Sequence, residues 1–116
     1  MTATDQPWQT IPEMVSSAAD RFGDAEAVVD GPLRLTFTEV AQRVRRAAGA
    51  FAKLGVDEGD RVAIWAPNMA EWTITQFATA KAGLVLVNIN PAYRLAELEY
   101  ALNKVGCRAL VTATAF

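Results

Sequence analysis

The chain has 116 residues, 52% of them hydrophobic, which suits one domain with a real core and argues against disorder. A formal net charge of -2 supplies no basic field for nucleic acid or an anionic membrane surface. Histidine is absent and Cys107 is the one cysteine, which excludes an internal disulfide, His-based triads and His-x-x-x-His zinc sites.

The first residues, Met1 to Thr10, are polar and lack the apolar core and small-residue cleavage site of a secretory signal. Apolar runs elsewhere break before the length of a membrane span, so a soluble, cytoplasmic protein with no transmembrane segment is expected. Thr10 is placed to cap a helix in which Ile11, Val15, Ala18, Ala19 and Phe22 share one side, with Pro12 tolerated in its first turn and Gly23 as its end. Ala25 to Val29 and Leu33 to Phe37 are short strand-like runs joined by Asp30-Gly31-Pro32, which predicts an antiparallel hairpin. Thr36-Phe37-Thr38-Glu39 then has capping-box spacing, in which a threonine hydroxyl and a glutamate carboxylate each accept a free amide of the first turn. The helix that follows carries Val40, Val44, Ala47, Ala48, Phe51 and Leu54 as an apolar stripe and stops at Gly55. Arg43, Arg45 and Arg46 could dock a phosphate-bearing ligand. With no aromatic or Gly-rich companion, a solvated outer face is the favoured reading.

Asp57-Glu58-Gly59-Asp60 is too short for a calcium hand and reads as a turn. Arg61 to Trp65 reads as a strand buried on both faces. Ala66-Pro67-Asn68 closes it and is expected to cap the next helix, whose Glu71 and Lys81 suit the helix dipole. Trp72, Ile74, Phe77, Ala78 and Ala80 make that helix apolar over most of its circumference, so heavy burial is expected. Gly83 ends it, with positive φ expected there, and the apolar run to Asn90-Pro91 reads as a passage into a central strand. Tyr93-Arg94 precede a helix with Leu95, Leu98, Leu102 and Val105 inward and Glu97, Glu99 and Lys104 outward, stopped by Gly106. Arg108 to Thr112 reads as a last strand. Cys107 at its start reads as a small buried residue, since a lone thiol without a histidine is a poor nucleophile.

From Arg61 onward the order strand, helix, strand, helix, strand predicts an α/β fold. The expected architecture is a partial doubly wound domain with a three-stranded parallel sheet (near 61–65, 84–90 and 108–112), connecting helices and an amino-terminal hairpin. With no covering helix after the last strand, an edge stays open, and a piece of a larger domain that is weakly stable alone or associates is expected. Asn88, Asn90, Tyr93 and Arg94 gather at a strand's carboxyl end, where open α/β sheets bind ligands, although capping and turn formation before the next helix is the favoured reading. No Gly-x-x-x-x-Gly-Lys loop or Gly-x-Gly-x-x-Gly turn occurs, so nucleotide binding by this segment alone is not expected.

Leu35-Thr36-Phe37-Thr38-Glu39-Val40 resembles the first core motif of the AMP-forming adenylating enzymes, Leu-Thr-Tyr-x-Glu-Leu, and Lys81-Ala82-Gly83 through Asn90-Pro91 resembles their second. Gly55-Val56, Gly59 to Ile64, Pro67-Asn68 and Glu71-Trp72 look like the segment that links them. Within that superfamily, Val87-Asn88-Ile89-Asn90-Pro91-Ala92-Tyr93 is similar to fatty acyl-CoA synthetases, as are Leu98-Glu99-Tyr100 and Gly106 to Val111.

The resemblance implies a two-step ligase. ATP and a carboxylic acid form an acyl-adenylate with release of pyrophosphate, and the CoA thiol then takes the acyl group and releases AMP, with Mg2+ accompanying the ATP. The family's phosphate loop, adenine and ribose motifs, hinge, and carboxyl-terminal domain with its adenylating lysine match no position in this chain. Residues 1–116 are therefore expected to be an incomplete amino-terminal part of an AMP-binding, acyl-CoA synthetase domain, inactive alone. No catalytic, cofactor-binding or metal-ligating residue is assigned, Lys81 included, and no cofactor is expected for the chain by itself. The implied partners of the full-length enzyme are a fatty or other carboxylic acid, ATP and CoA. Another class of reading is a non-catalytic module that pairs with itself or a complementary fragment through its open sheet edge.

Overall fold

A computed structural model describes residues 8–113, so residues 1–7 of the polar Met1 to Thr10 segment lie outside the described residues. The elements are α1 (Ile11–Phe22), β1 (Glu26–Asp30), β2 (Leu33–Thr36), α2 (Phe37–Lys53), β3 (Arg61–Trp65), α3 (Ala70–Lys81), β4 (Val85–Asn88), α4 (Leu95–Val105) and β5 (Cys107–Thr112). β1 and β2 form the expected antiparallel hairpin, and β4, β3 and β5 form a parallel sheet in that order.

The helix starts follow local chemistry where the sequence supplies a side-chain acceptor. Thr10 Oγ1 accepts the Glu13 amide at 3.3 Å. At α2 the box is complete: Thr36 Oγ1 accepts the Glu39 amide at 3.1 Å and Glu39 Oε1 accepts the Thr36 amide at 2.9 Å. The bond from the Thr36 amide, then that from its hydroxyl, holds the Glu39 carboxyl below its ordinary range, with Arg43 adding to the effect. A lowered folded value means that the stabilisation is present above the ordinary glutamate range and is lost as pH falls through the lower, folded one. In Glu39→Gln this acid-side loss should disappear from a plot of melting midpoint against pH; a profile identical to the parent's would remove the assignment.

α3 begins differently from expectation. Asn68 does not cap it; the cap position is Met69, which offers no side-chain bond. The Ala70 amide instead donates to Asp30 Oδ2 at 2.9 Å, from the hairpin turn forty residues away in sequence. Fold geometry thus supplies a carboxylate that also suits the positive end of the helix dipole. We expect Asp30→Ala to cost about 0.5–2 kcal/mol in urea unfolding, the range for a lost cap. Asn68→Ala should stay within about 0.5 kcal/mol, as for surface changes generally. The reverse ranking would return the cap to Asn68.

β3 is the centre of the molecule. Val62, Ala63 and Ile64 are each at most 1% exposed. Because successive strand residues face opposite ways, Val62 joins a core with Leu35, Val44, Phe51, Ile74 and Ala78, while Ala63 joins a smaller one with Ile89 and Leu98. α2 and α3 therefore cover one face and α4 the other, the doubly wound arrangement expected. β4 is not central, as its apolar run suggested, but an edge of the three strands, and Val85 is 49% exposed. It is also shorter than the expected 84–90 range, because the chain turns at Asn90; β5 begins one residue early, at Cys107. Two apolar stripes are narrower than expected. Leu54 lies past the last turn of α2 and Leu95 in the first turn of α4, and they are 71% and 76% exposed.

Candidate functional site

In an open parallel sheet, ligands meet the carboxyl ends of the strands. The loop after β4 is held there by backbone chemistry. The Ala92 amide donates to Asn90 Oδ1 at 2.9 Å, and the Tyr93 amide donates to the Asn90 carbonyl at 3.0 Å. Trp65, at the end of β3, donates its indole Nε1–H to the same carbonyl at 3.2 Å. Asn90 is thus a turn-forming residue pinned to the central strand, as the capping and turn reading held.

The other residues singled out at this strand end do not converge on a cavity. Asn88 and Arg94 are exposed. Arg94 is the cap position of α4, and since a guanidinium has no acceptor, capping there is one-sided: the Arg94 amide donates to Glu97 Oε1 at 3.4 Å. Tyr93 instead lies over a hollow along α4 with Ala96, Tyr100 and Val105.

The concavity at the carboxyl rim lies on the other side of β3. It has a volume of about 490 Å3 and is walled by Ile64, Ala66, Met69, Trp72, Thr75 and Thr112, among others. Sequence reasoning missed it because the ends of β3 and β5 are adjacent only through the strand order. Trp72 and the buried Thr75 were legible as α3 residues, but not as the wall of a cleft.

The charge around this rim disfavours phosphate. The amino end of α3 would be the natural anion site, yet Asp30 already takes its Ala70 amide and Glu71 adds a second carboxylate in the first turn. No group of three or more metal-ligating side chains occurs among the described residues. The carboxylates of Asp30 and Glu71 make the start of α3 a poor site for a phosphate. Cys107 is only half-buried, short of the full burial expected, and this burial raises its thiol pKa despite the opposing effect of Arg61. The Asp57 to Asp60 segment is the turn expected: Asp60 Oδ2 accepts the Asp57 amide at 2.8 Å, and the Asp60 carbonyl accepts the Val85 amide at 2.9 Å.

Residues 15–116 match the model of the AMP-binding enzyme family, spanning both core-motif segments and the stretch that links them. The chain belongs to the AMP-binding enzymes. Among its relatives, the mitochondrial medium-chain acyl-CoA ligase ACSF2 of Danio rerio is 46% identical over 110 residues, covering 92% of this chain and 18% of the relative. The Homo sapiens protein of the same name is 43% identical over 105 residues, covering 89% and 17%. The inhibitor-bound amino-terminal domain of FACL13 from Mycobacterium tuberculosis superposes with a TM-score of 0.87 at 27% identity, over 92% of this chain and 27% of that one. The chain thus spans less than a fifth of the length of these curated relatives. As an AMP-binding family member it carries the core-motif region, with the three-stranded sheet and hairpin expected for the family's large amino-terminal domain. No helix among the described residues is long and apolar enough to cross a membrane.

Proposed function

We propose that this chain is the amino-terminal portion of a fatty acyl-CoA synthetase. In that reaction ATP and a carboxylic acid give an acyl-adenylate and pyrophosphate, and CoA then displaces AMP to form the thioester. The observation that carries the reading is the family match across residues 15–116, joined to relatives named as medium-chain acyl-CoA ligases. Here the segment acts as scaffold, with its central strand and capped helices shaping the carboxyl rim. The phosphate loop, the adenylating lysine and the sites for ATP, Mg2+ and CoA belong to parts outside these 116 residues. The carboxylates at the start of α3 support that assignment, since they leave no anion site there.

The test is ATP–pyrophosphate exchange with medium- and long-chain fatty acids, by the purified chain and after adding any downstream polypeptide of the same locus. Silence alone with exchange on addition is expected; exchange by the chain alone would overturn the scaffold reading. A cytoplasmic location, expected from the sequence, stands against the mitochondrial one in the relatives' names, and cell fractionation decides between them.

A non-catalytic role through pairing is favoured by one observation. β4 and β5 are both sheet edges in the described residues, and Leu110 on β5 and Tyr100 on α4 are 38% and 66% exposed. Sedimentation of the chain as a monomer with a sharp cooperative melt would count against it.

A further inference from the structure

The outer face of α2 is the part of the fold that the synthetase reading leaves unused. Residues three and four apart are neighbours on one side of a helix, so Arg46, Ala50, Lys53 and Leu54 form a row that runs to the end of α2, and all four are exposed. Arg43, a turn earlier on the same side, acts on the Glu39 carboxylate. No carboxylate follows on the helix to balance Arg45, Arg46 and Lys53.

Directly after α2 the sign of the charge reverses. Asp57 and Glu58 are exposed in the turn that leads to β3. Among the described residues the ion pair is Arg34 with Glu26, so the carboxylates of Asp57 and Glu58 and the cations of Arg46 and Lys53 have no salt-bridge partner there. A solvated helix face usually mixes the two signs, which then pair along the helix. Here they are segregated along one line and stay unpaired within the chain.

A surface whose cationic half is followed by an anionic half is complementary to itself when turned end for end, which is what a two-fold axis does. Two copies of α2 laid antiparallel, with the axis crossing between Ala50 and Lys53, bring Arg46 of each copy to the Asp57-Glu58 turn of the other, so the contact occurs twice. A parallel arrangement would set arginine against arginine. At the crossing, Gly49 and Ala50 keep the helix surface low, and Leu54, 71% exposed where the sequence pattern predicts burial, gains an apolar floor to lie on. Gly49 has no reason inside the chain: it is exposed in mid-helix, where glycine costs stability, and a Cβ there would meet nothing within 4 Å.

We propose that this chain self-associates across α2 as a two-fold dimer, with Arg46 of each copy against the Asp57-Glu58 turn of the other and Leu54 seated on Ala50. The surface lies apart from the sheet edges and from the carboxyl rim, and it stands independently of the synthetase reading. One helix pair is a small interface, so the dimer is weak and transient, and its exposed charge pairs are sensitive to salt.

Sedimentation of the full chain over a concentration series tests this in salt of about 10 mM and about 1 M, between which the screening length falls from about 30 to about 3 Å. A monomer–dimer equilibrium is expected, with association weakened about tenfold or more in the high salt. Arg46→Glu and Glu58→Lys should each weaken it by a similar factor, since each sets like charges together at both contacts. An equimolar mixture of these two variants should dimerise as well as the parent, because every mixed pair joins opposite charges at both contacts. Asp57→Lys takes the place of Glu58→Lys should the latter, whose side chain lies beside Gly83, disturb the turn. Leu54→Ala should weaken the dimer and leave the melt of the dilute monomer nearly unchanged. A parent that stays monomeric at every concentration would overturn the proposal. So would a dimer indifferent to salt and to both charge reversals, as pairing through the sheet edges would give, or a mixture that associates no better than either variant alone.

Discussion

Replacing Gly83 with valine is expected to destabilise the chain by about 1–3 kcal/mol, the cost of holding a non-glycine residue in the left-handed backbone region. Gly83 has φ of 74° and sits where α3 stops. Its amide donates to the Ala80 carbonyl at 3.3 Å, and the next amide, from Leu84, reaches back to the Thr79 carbonyl at 2.9 Å, the pair of bonds that makes a Schellman ending. An L side chain resists that backbone angle, and a β-branched one resists it most. A Cβ there would also meet Glu58 Cγ at 2.8 Å and Cδ at 3.3 Å. The Gly83 carbonyl meanwhile accepts the Gly59 amide at 2.8 Å, so moving the chain aside would loosen the turn that leads into β3. Glu58 is exposed and its side chain can swing aside, so Glu58→Ala should recover little of the loss and leave the backbone part. Denaturant melts of the parent, both single variants and the double separate the two contributions, and an unchanged midpoint in Gly83→Val would remove the account.

Truncation of Ile64 to alanine is expected to cost about 2–5 kcal/mol, the range for deleting a large aliphatic side chain from a packed core. Ile64 is 1% exposed on the central strand, and its carbonyl accepts the Ile89 amide at 3.0 Å. Its neighbours belong to two parallel strands and to α3, so little of the cavity can close by local movement. Leu54→Ala is the control: it is an aliphatic residue expected from the sequence to be buried, on the helical stripe of α2, but it is 71% exposed, and its cost should remain within about 0.5 kcal/mol. Similar losses for the two would show that the central strand is not the organising element. An intact Ile64→Ala chain with a lowered but cooperative melt would place the loss in packing and leave the topology in place.

The candidate site was legible only in part. The carboxyl end of the 84–90 run pointed to the rim of an open sheet, and the Asn90 turn is where that reading placed it. The cleft itself lies on the far side of β3, built from Ala66, Met69, Trp72, Thr75 and Thr112. Family motifs carried the functional reading further than side-chain chemistry did, since residues 15–116 match the AMP-binding family while the one helix start at the rim is occupied by carboxylates.

By itself the sequence determined what depends on neighbours along the chain. The capping box of Thr36 and Glu39, the stops at Gly23, Gly83 and Gly106, the hairpin turn and the two-sided burial of β3 all follow from spacing and local backbone preference. Tertiary structure decided the rest. An apolar run shows that a strand has covered faces but not which strands lie beside it, so the 84–90 run read as central when β4 is an edge of the three strands. A cap can come from any element that reaches the helix end, so Asp30 replaced Asn68 at α3. A helical stripe is buried only where another element arrives to cover it, which left Leu54 and Leu95 in solvent and no residue of α1 fully buried.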